Sequence, residues 1–195
     1  MAHEPALPHA PVAPVALAAA LALAGVGLAS DARGAGPYAS GRVYAEVQVG
    51  AGNVDVSGLR FYPPIGGVAV GAYVRDGIGV ELHADGGIDV DDDGGFELGL
   101  DGATGLGVRF ESPPTRGTSG YITLGYSAWT LSQEPAGPGT GEVDEDFTGA
   151  RASIGLVKRL ERVPALSLSA EYRAWYVDDG LSVTSLLLGL RLSAP

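Results

Sequence analysis

The chain has no cysteine, so no disulfide framework can hold it and stability must come from packing and strand pairing. It is poor in positive charge: 12 Lys and Arg stand against 23 Asp and Glu, a formal net charge of −11. That balance argues against nucleic acid, whose phosphates need a basic surface. Only 7% of residues are aromatic. After residue 29 no stretch is apolar enough for a helical membrane span, and nothing keeps the 3.6-residue period of a long helix. The exception comes first. Val12–Ala29 is almost wholly apolar, and Gly27 and Ala29 place small residues at −3 and −1 of a cleavage after Ala29. Residues 1–29 therefore read as a secretory signal peptide, though no Lys or Arg precedes the apolar run. Residues 30–40 read as a short lead-in and 41–195 as one domain.

What the chain has in quantity is glycine, 31 residues, and alternation. From Leu186 to Leu192 every second residue is leucine, interleaved with Leu187, Gly189 and Arg191. In Leu166–Tyr176 one face carries Leu166, Leu168, Ala170, Tyr172, Ala174 and Tyr176, and the other Ser167, Ser169, Glu171, Arg173 and Trp175. A period of two with unlike faces is a strand between two environments. Such runs suit the roughly 9–11 residues of a membrane-crossing strand. The same reading gives strands at about Arg42–Gly50, Gly66–Arg75, Ile78–Gly86, Phe96–Glu111, Gly120–Leu131 and Phe147–Lys158, with Asp76-Gly77 as a tight hairpin turn. The total is eight, joined by hairpin-length links. The expected fold is all-β: an eight-stranded antiparallel up-and-down transmembrane β-barrel behind a signal peptide.

A soluble ligand-binding barrel shows the same alternation with the faces exchanged, and glycine placement separates the two. Gly67, Gly71, Gly79, Gly99, Gly105, Gly107, Gly155 and Gly189 share the polar face. Glycine weakens a strand and gains nothing on a solvated surface, but it leaves room in a crowded lumen. The polar face also carries both signs: Glu46, Glu81, Asp85, Glu97, Asp101 and Glu171 beside Arg75, Arg109, Arg151, Arg173 and Arg191, with His83 among them. Buried charges must pair. These twelve residues form the expected charge network of a plugged lumen, with apolar side chains facing lipid. Acidic clusters at Asp89–Asp93, Glu142–Asp146 and Asp178-Asp179 fall on one end, and Arg116, Arg159 and Arg162 on the other.

On these patterns the chain resembles the OmpA/OmpX-type small outer-membrane barrels over about Gly41–Leu192. The segments that carry the resemblance are Tyr44-Ala45-Glu46-Val47-Gln48-Val49-Gly50, Gly120-Tyr121-Ile122-Thr123-Leu124-Gly125-Tyr126 and Leu186-Leu187-Leu188-Gly189-Leu190-Arg191-Leu192. Members usually end in an aromatic residue; here the end is Ser193-Ala194-Pro195. The resemblance implies a bacterial outer-membrane location, contact with outer-membrane lipid and lipopolysaccharide, handling by the outer-membrane assembly machinery, extracellular protein contact through the loops, and no catalysis or cofactor.

Two motifs carry possible chemistry. Asp89, Asp91 and Asp93, followed by Gly94, match the first half of a calcium loop; the position of the closing bidentate Glu is Leu100, so the second half fails and weak divalent-cation binding is the most it offers. His83, the one histidine after residue 29, shares a face with Glu81 and Asp85. With Ser153, Ser167 or Ser169 as nucleophile it offers the alternative of a lipid-modifying barrel enzyme.

Overall fold

The computed structural model describes residues 39–56, 59–93, 95–135, 143–175 and 181–194. The signal-peptide reading and the Glu142 and Asp178-Asp179 acids lie outside them. The described residues form ten strands and no helix: β1 (Val43–Val56), β2 (Leu59–Phe61), β3 (Pro64–Arg75), β4 (Ile78–Gly87), β5 (Asp91–Asp93), β6 (Phe96–Glu111), β7 (Thr118–Pro135), β8 (Val143–Arg159), β9 (Leu166–Trp175) and β10 (Leu181–Ser193). Eight of them make the wall in the order β10-β9-β8-β7-β6-β4-β3-β1, all antiparallel. β1 then pairs with β10 from Tyr44↔Ser193 to Val56↔Leu181, which closes the ring and leaves no sheet edge along the seam. The short β2 and β5 lie against β1 and β6 outside this path.

Alternation dictates the two surfaces. Leu186, Leu188, Leu190 and Leu192 project outward, Leu188 with 64% of its surface exposed, while Leu187 and Arg191 between them are buried. Val47, Val49, Leu82, Leu106, Val108, Phe110, Ile122, Leu124, Tyr126, Ile154, Leu156, Leu168 and Tyr172 continue the exposed apolar belt. Glycines line the inside where large side chains cross. A Cβ at Gly71 would meet the Tyr44 ring, one at Gly155 the Tyr121 ring, and one at Gly105 the His83 ring.

The short connections and both ends of the wall share one end of the barrel. Arg42 donates from Nη1 to the carbonyl of Ala194 there, at 2.9 Å. Gly77 takes φ +72° in the β3–β4 turn. Between β6 and β7 the Thr115 and Thr118 backbones bond each other in both directions. The two residues at that tip, Arg116 and Gly117, both have positive φ, 51° and 75°. Left-handed geometry at both central positions is the hairpin turn whose twist matches that of its strands.

Several strands run beyond their expected limits. β7 and β8 remain paired up to Gln133↔Val143, so most of the segment expected as a Ser132–Asp146 loop is sheet. β1 extends to Val56, six residues past the expected end at Gly50. These extensions raise the wall above the apolar belt.

Candidate functional site

Two layers fill the lumen. The lower layer, level with the apolar belt, is ionic. Arg191 on β10 reaches Glu46 on β1, Nη2 to Oε2 at 2.7 Å, and donates from Nη1 to Glu111 at 3.2 Å. Arg109 on β6 donates to Glu81 and Glu111, both at 3.0 Å. Arg151 on β8 donates to Glu81 at 3.1 Å. Arg173 on β9 donates to Glu171 at 2.7 Å, Asp85 at 2.6 Å and the Gln48 carbonyl oxygen at 2.7 Å. Phenol hydroxyls complete the carboxylates: Tyr44 donates to Glu81, Tyr73 to Glu111 and Tyr121 to Glu171. Ser119 donates to Glu111, and Ser169 and the Gln48 amide to Glu46. The Arg109 guanidinium lies 3.3 Å above the Tyr121 ring centroid and that of Arg191 4.2 Å above the Tyr44 ring.

All four guanidiniums and these carboxylates are buried. A buried ion removed from its partner costs several kcal/mol, so each charge holds its neighbours in place. The lattice joins every wall strand: β1, β3, β4, β6, β7, β8, β9 and β10 each contribute a member. It fills the bore with paired charges, though Arg109 Nη2 and Arg151 Nε and Nη1 make no hydrogen bond among the described residues.

Of the twelve residues expected in a lumen network, the structure brings nine together: Glu46, Glu81, His83, Asp85, Arg109, Arg151, Glu171, Arg173 and Arg191. It places Arg75, Glu97 and Asp101 elsewhere. Tyr73 keeps the inward parity of Ala69 and Gly71, and a register shift between Tyr73 and Arg75 leaves Arg75 exposed at the short-turn end. A second shift between Leu100 and Gly102 reverses the alternation of upper β6. Leu98 and Leu100 therefore point into the barrel, Glu97 is exposed, and Gly99 faces outward under Val90. Asp101 sits in the shift itself, half-buried, and burial followed by the nearby Asp144 raises its carboxyl above the usual range. Glu111, Gln48 and the three tyrosines are members that the charge pattern alone did not nominate; their inward parity on β1, β3, β6 and β7 was the available signal.

The upper layer is apolar, where a polar lumen was expected throughout. Val54, Phe61, Ile65, Leu98, Leu100, Ala103, Trp129, Leu131, Trp175, Val183 and Leu187 form a buried cluster. Phe147 stacks on Trp129 with ring centroids 4.5 Å apart. The space left among them is about 10 Å³, room for one water at most. This cap lies above the lattice, where β1, β6, β7 and β8 outrun the belt.

His83 Nε2 lies 3.3 Å from Ser127 Oγ and 3.7 Å from Asp85 Oδ2. Both partners converge on one ring nitrogen. A hydrolytic relay needs the acid on the nitrogen opposite the nucleophile. The hydroxyl beside His83 is that of Ser127, not Ser153, Ser167 or Ser169; Ser169 is bonded to Glu46. In the acidic loop Asp91 Oδ2 accepts from the Tyr62 backbone N–H at 2.6 Å, and Asp89 Oδ1 accepts from the N–H of Val90. Those bonds pin β5 and the loop before it. The Asp93 side chain lies outside the described residues, and among the described residues no three acids or histidines group to hold a metal.

No family model matches the sequence, and no curated protein does. Solved structures do. Neisserial surface protein A matches with a TM-score of 0.58 at 14% identity, over 77% of this chain and 96% of that one. Ail, the attachment invasion locus protein of Yersinia pestis, matches with a TM-score of 0.58 at 13% identity, over 78% and 97%. The outer membrane protein OprG of Pseudomonas aeruginosa matches with a TM-score of 0.53 at 11% identity, over 80% and 97%. The fold is that of the small eight-stranded outer-membrane barrels, as the OmpA/OmpX-type resemblance implied, and it spans those barrels from end to end.

Proposed function

We propose that this protein is a non-catalytic barrel of a bacterial outer membrane, closed to solutes, that acts through its surface. The reading rests on one observation: the exposed ring of leucine, isoleucine, valine, phenylalanine and tyrosine side chains encloses buried, paired charges. In water that arrangement exposes far more contiguous apolar surface than a soluble monomer carries. Against acyl chains it is the arrangement with least free-energy cost. The short-turn end then faces the periplasm and the extended strands face outward, since outer-membrane barrels keep their short turns inside.

The belt meets phospholipid on the periplasmic side and lipopolysaccharide on the other. The outer end presents Asp89, Asp92, Glu97, Asp144, Glu145 and Asp146 to solvent and is the surface available to an extracellular protein. The assembly machinery acts on the closing strand β10. Two stacked plugs, one ionic and one apolar, support a closed bore. The convergence of Ser127 and Asp85 on one nitrogen of His83 supports a structural histidine.

Reconstitution into a planar bilayer tests this reading. Folded protein, identified by its heat-dependent shift on a denaturing gel, is expected to give no stepwise conductance. Steady single-channel steps, or a protein that never enters the bilayer, would overturn it. His83→Ala is expected to leave lipid A unmodified relative to the parent.

A further inference from the structure

The outer face of the barrel is not uniformly convex. Across β6, β7, β8, β9 and β10 it carries an open groove of about 940 Å³, floored by Gly120 and Ala170 and walled by Phe110, Ile122, Leu156 and Tyr172. The floor is low because those two outward positions hold little or no side chain. The groove reaches the short-turn rim at Asp76, Gly77 and Ser112, and cations stand beyond its lining, below the Leu156 wall. Lys158 follows Leu156 on the same outward parity of β8 and pairs with Thr118, directly below the Gly120↔Leu156 pair. Its Nζ donates to the carbonyl of Arg116 at 2.7 Å.

Two turns bring three cations to this point. The Arg159 backbone N–H bonds the Gly117 carbonyl at 2.9 Å, and the Arg159 Nε donates to the Pro164 carbonyl at 2.8 Å. The β8–β9 turn is thereby docked on the Arg116-Gly117 tip. Lys158, Arg116 and Arg159 all have backbone carbonyls or solvent around them, and none has a carboxylate partner among the described residues. The acids of the groove are placed away from them. Asp76, at the opposite margin, accepts from the Ser40 N–H, and Glu111 and Glu171 point into the lumen lattice.

We propose that this groove and its rim are a binding site for an anionic phospholipid of the periplasmic leaflet, with an acyl chain along Phe110, Ile122, Leu156 and Tyr172 and the phosphate at Lys158 and Arg116. The occupant follows from the combination. An apolar channel open along its length takes an alkyl chain, and unpaired cations at one end take a negative headgroup. Lys158 keeps two further N–H donors beyond the one given to Arg116. A zwitterionic lipid gains less there, because its own positive group offsets the phosphate. The proposal rests on the membrane reading above.

Spin-labelled phosphatidylglycerol and spin-labelled phosphatidylcholine, each in phosphatidylcholine vesicles holding the folded full chain, separate the two. Electron spin resonance reports the fraction of each lipid immobilised on the protein. Immobilised phosphatidylcholine at all establishes the membrane barrel; its complete absence would sink that reading and this one together. With the barrel inserted, phosphatidylglycerol is expected to associate several-fold more strongly than phosphatidylcholine and to lose that preference in high salt. The Lys158→Gln/Arg116→Gln pair is expected to abolish the preference, and Ala170→Trp, which fills the groove floor, to reduce it. Arg60→Gln, at the other end of the barrel, is expected to retain it. An inserted barrel with no preference, a preference untouched by the Lys158/Arg116 pair, or one indifferent to Ala170→Trp would each overturn the site.

Discussion

Glu46 and Arg191 are opposite each other in the register of the first and last wall strands, and their side chains meet at 2.7 Å inside the barrel. The closing seam therefore carries an ion pair in addition to its backbone ladder. Ser169 and Gln48 also donate to Glu46, and Arg191 continues to Glu111. Removing the guanidinium leaves two buried carboxylates short of a cation. Arg191→Met is expected to lower unfolding stability by about 3–5 kcal/mol, read from urea titrations in detergent micelles. Adding Glu46→Gln to it is expected to restore part of the loss. A single variant as stable as the parent contradicts the lattice.

Leu188 projects from the same strand in the opposite direction and is among the most exposed apolar side chains of the protein. Leu188→Arg is expected to cost about 2–4 kcal/mol if it lies near the bilayer midplane, measured by unfolding from lipid vesicles. The cost should shrink for the same change at Leu192, toward the rim.

Gly155 lies under the Tyr121 ring, so a methyl group there collides with an aromatic ring whose hydroxyl is bonded to Glu171. Gly155→Ala is expected to destabilise by about 1–3 kcal/mol through overpacking. Gly120→Ala, on the outward parity of β7, meets nothing closer than 3.8 Å and is expected to fold as the parent does. Equal effects at the two sites would show that the glycines serve the strands and not the bore.

Asp101 titrates outside the belt. Its carboxyl is raised by burial and by Asp144, so the folded protein holds this proton more tightly than the unfolded chain. Its contribution is present below the unfolded carboxylate range and is lost as pH rises through the raised value. Asp101→Asn is expected to flatten that part of the stability profile, with the parent's unfolding midpoint falling relative to the variant's from acid toward neutral pH. A parallel profile for both proteins contradicts the assignment.

The barrel was legible in the sequence because alternation survives wherever one face meets acyl chains and the other meets charge. Leu186 to Leu192 and Ser167 to Arg173 needed no tertiary information. What the sequence hid are the two register shifts. A single extra residue reverses parity, and Asp101-Gly102 gives only a weak glycine signal for it. Parity counted through that point put Leu98 and Leu100 in lipid and Glu97 and Asp101 in the lumen, the reverse of their places. The apolar cap was hidden partly for the same reason, at Leu98 and Leu100, and partly because Val54, Phe61 and Ile65 fall between the expected strands, although Trp175 and Leu187 already stood on the inward face. The nine lumen residues that come together lie on uninterrupted stretches, where counting by two holds. Arg75 failed at the end of its strand, where the β3–β4 register slips.

The most direct test uses the absence of cysteine, which allows one spin label at a time along β10 from Leu186 to Leu192. In bilayers, labels at 186, 188, 190 and 192 are expected to collide freely with membrane-dissolved oxygen, and those at 187, 189 and 191 to be shielded from it and immobilised. Accessibility with the opposite parity, or none with a period of two, would contradict a barrel with lipid outside and paired charge within.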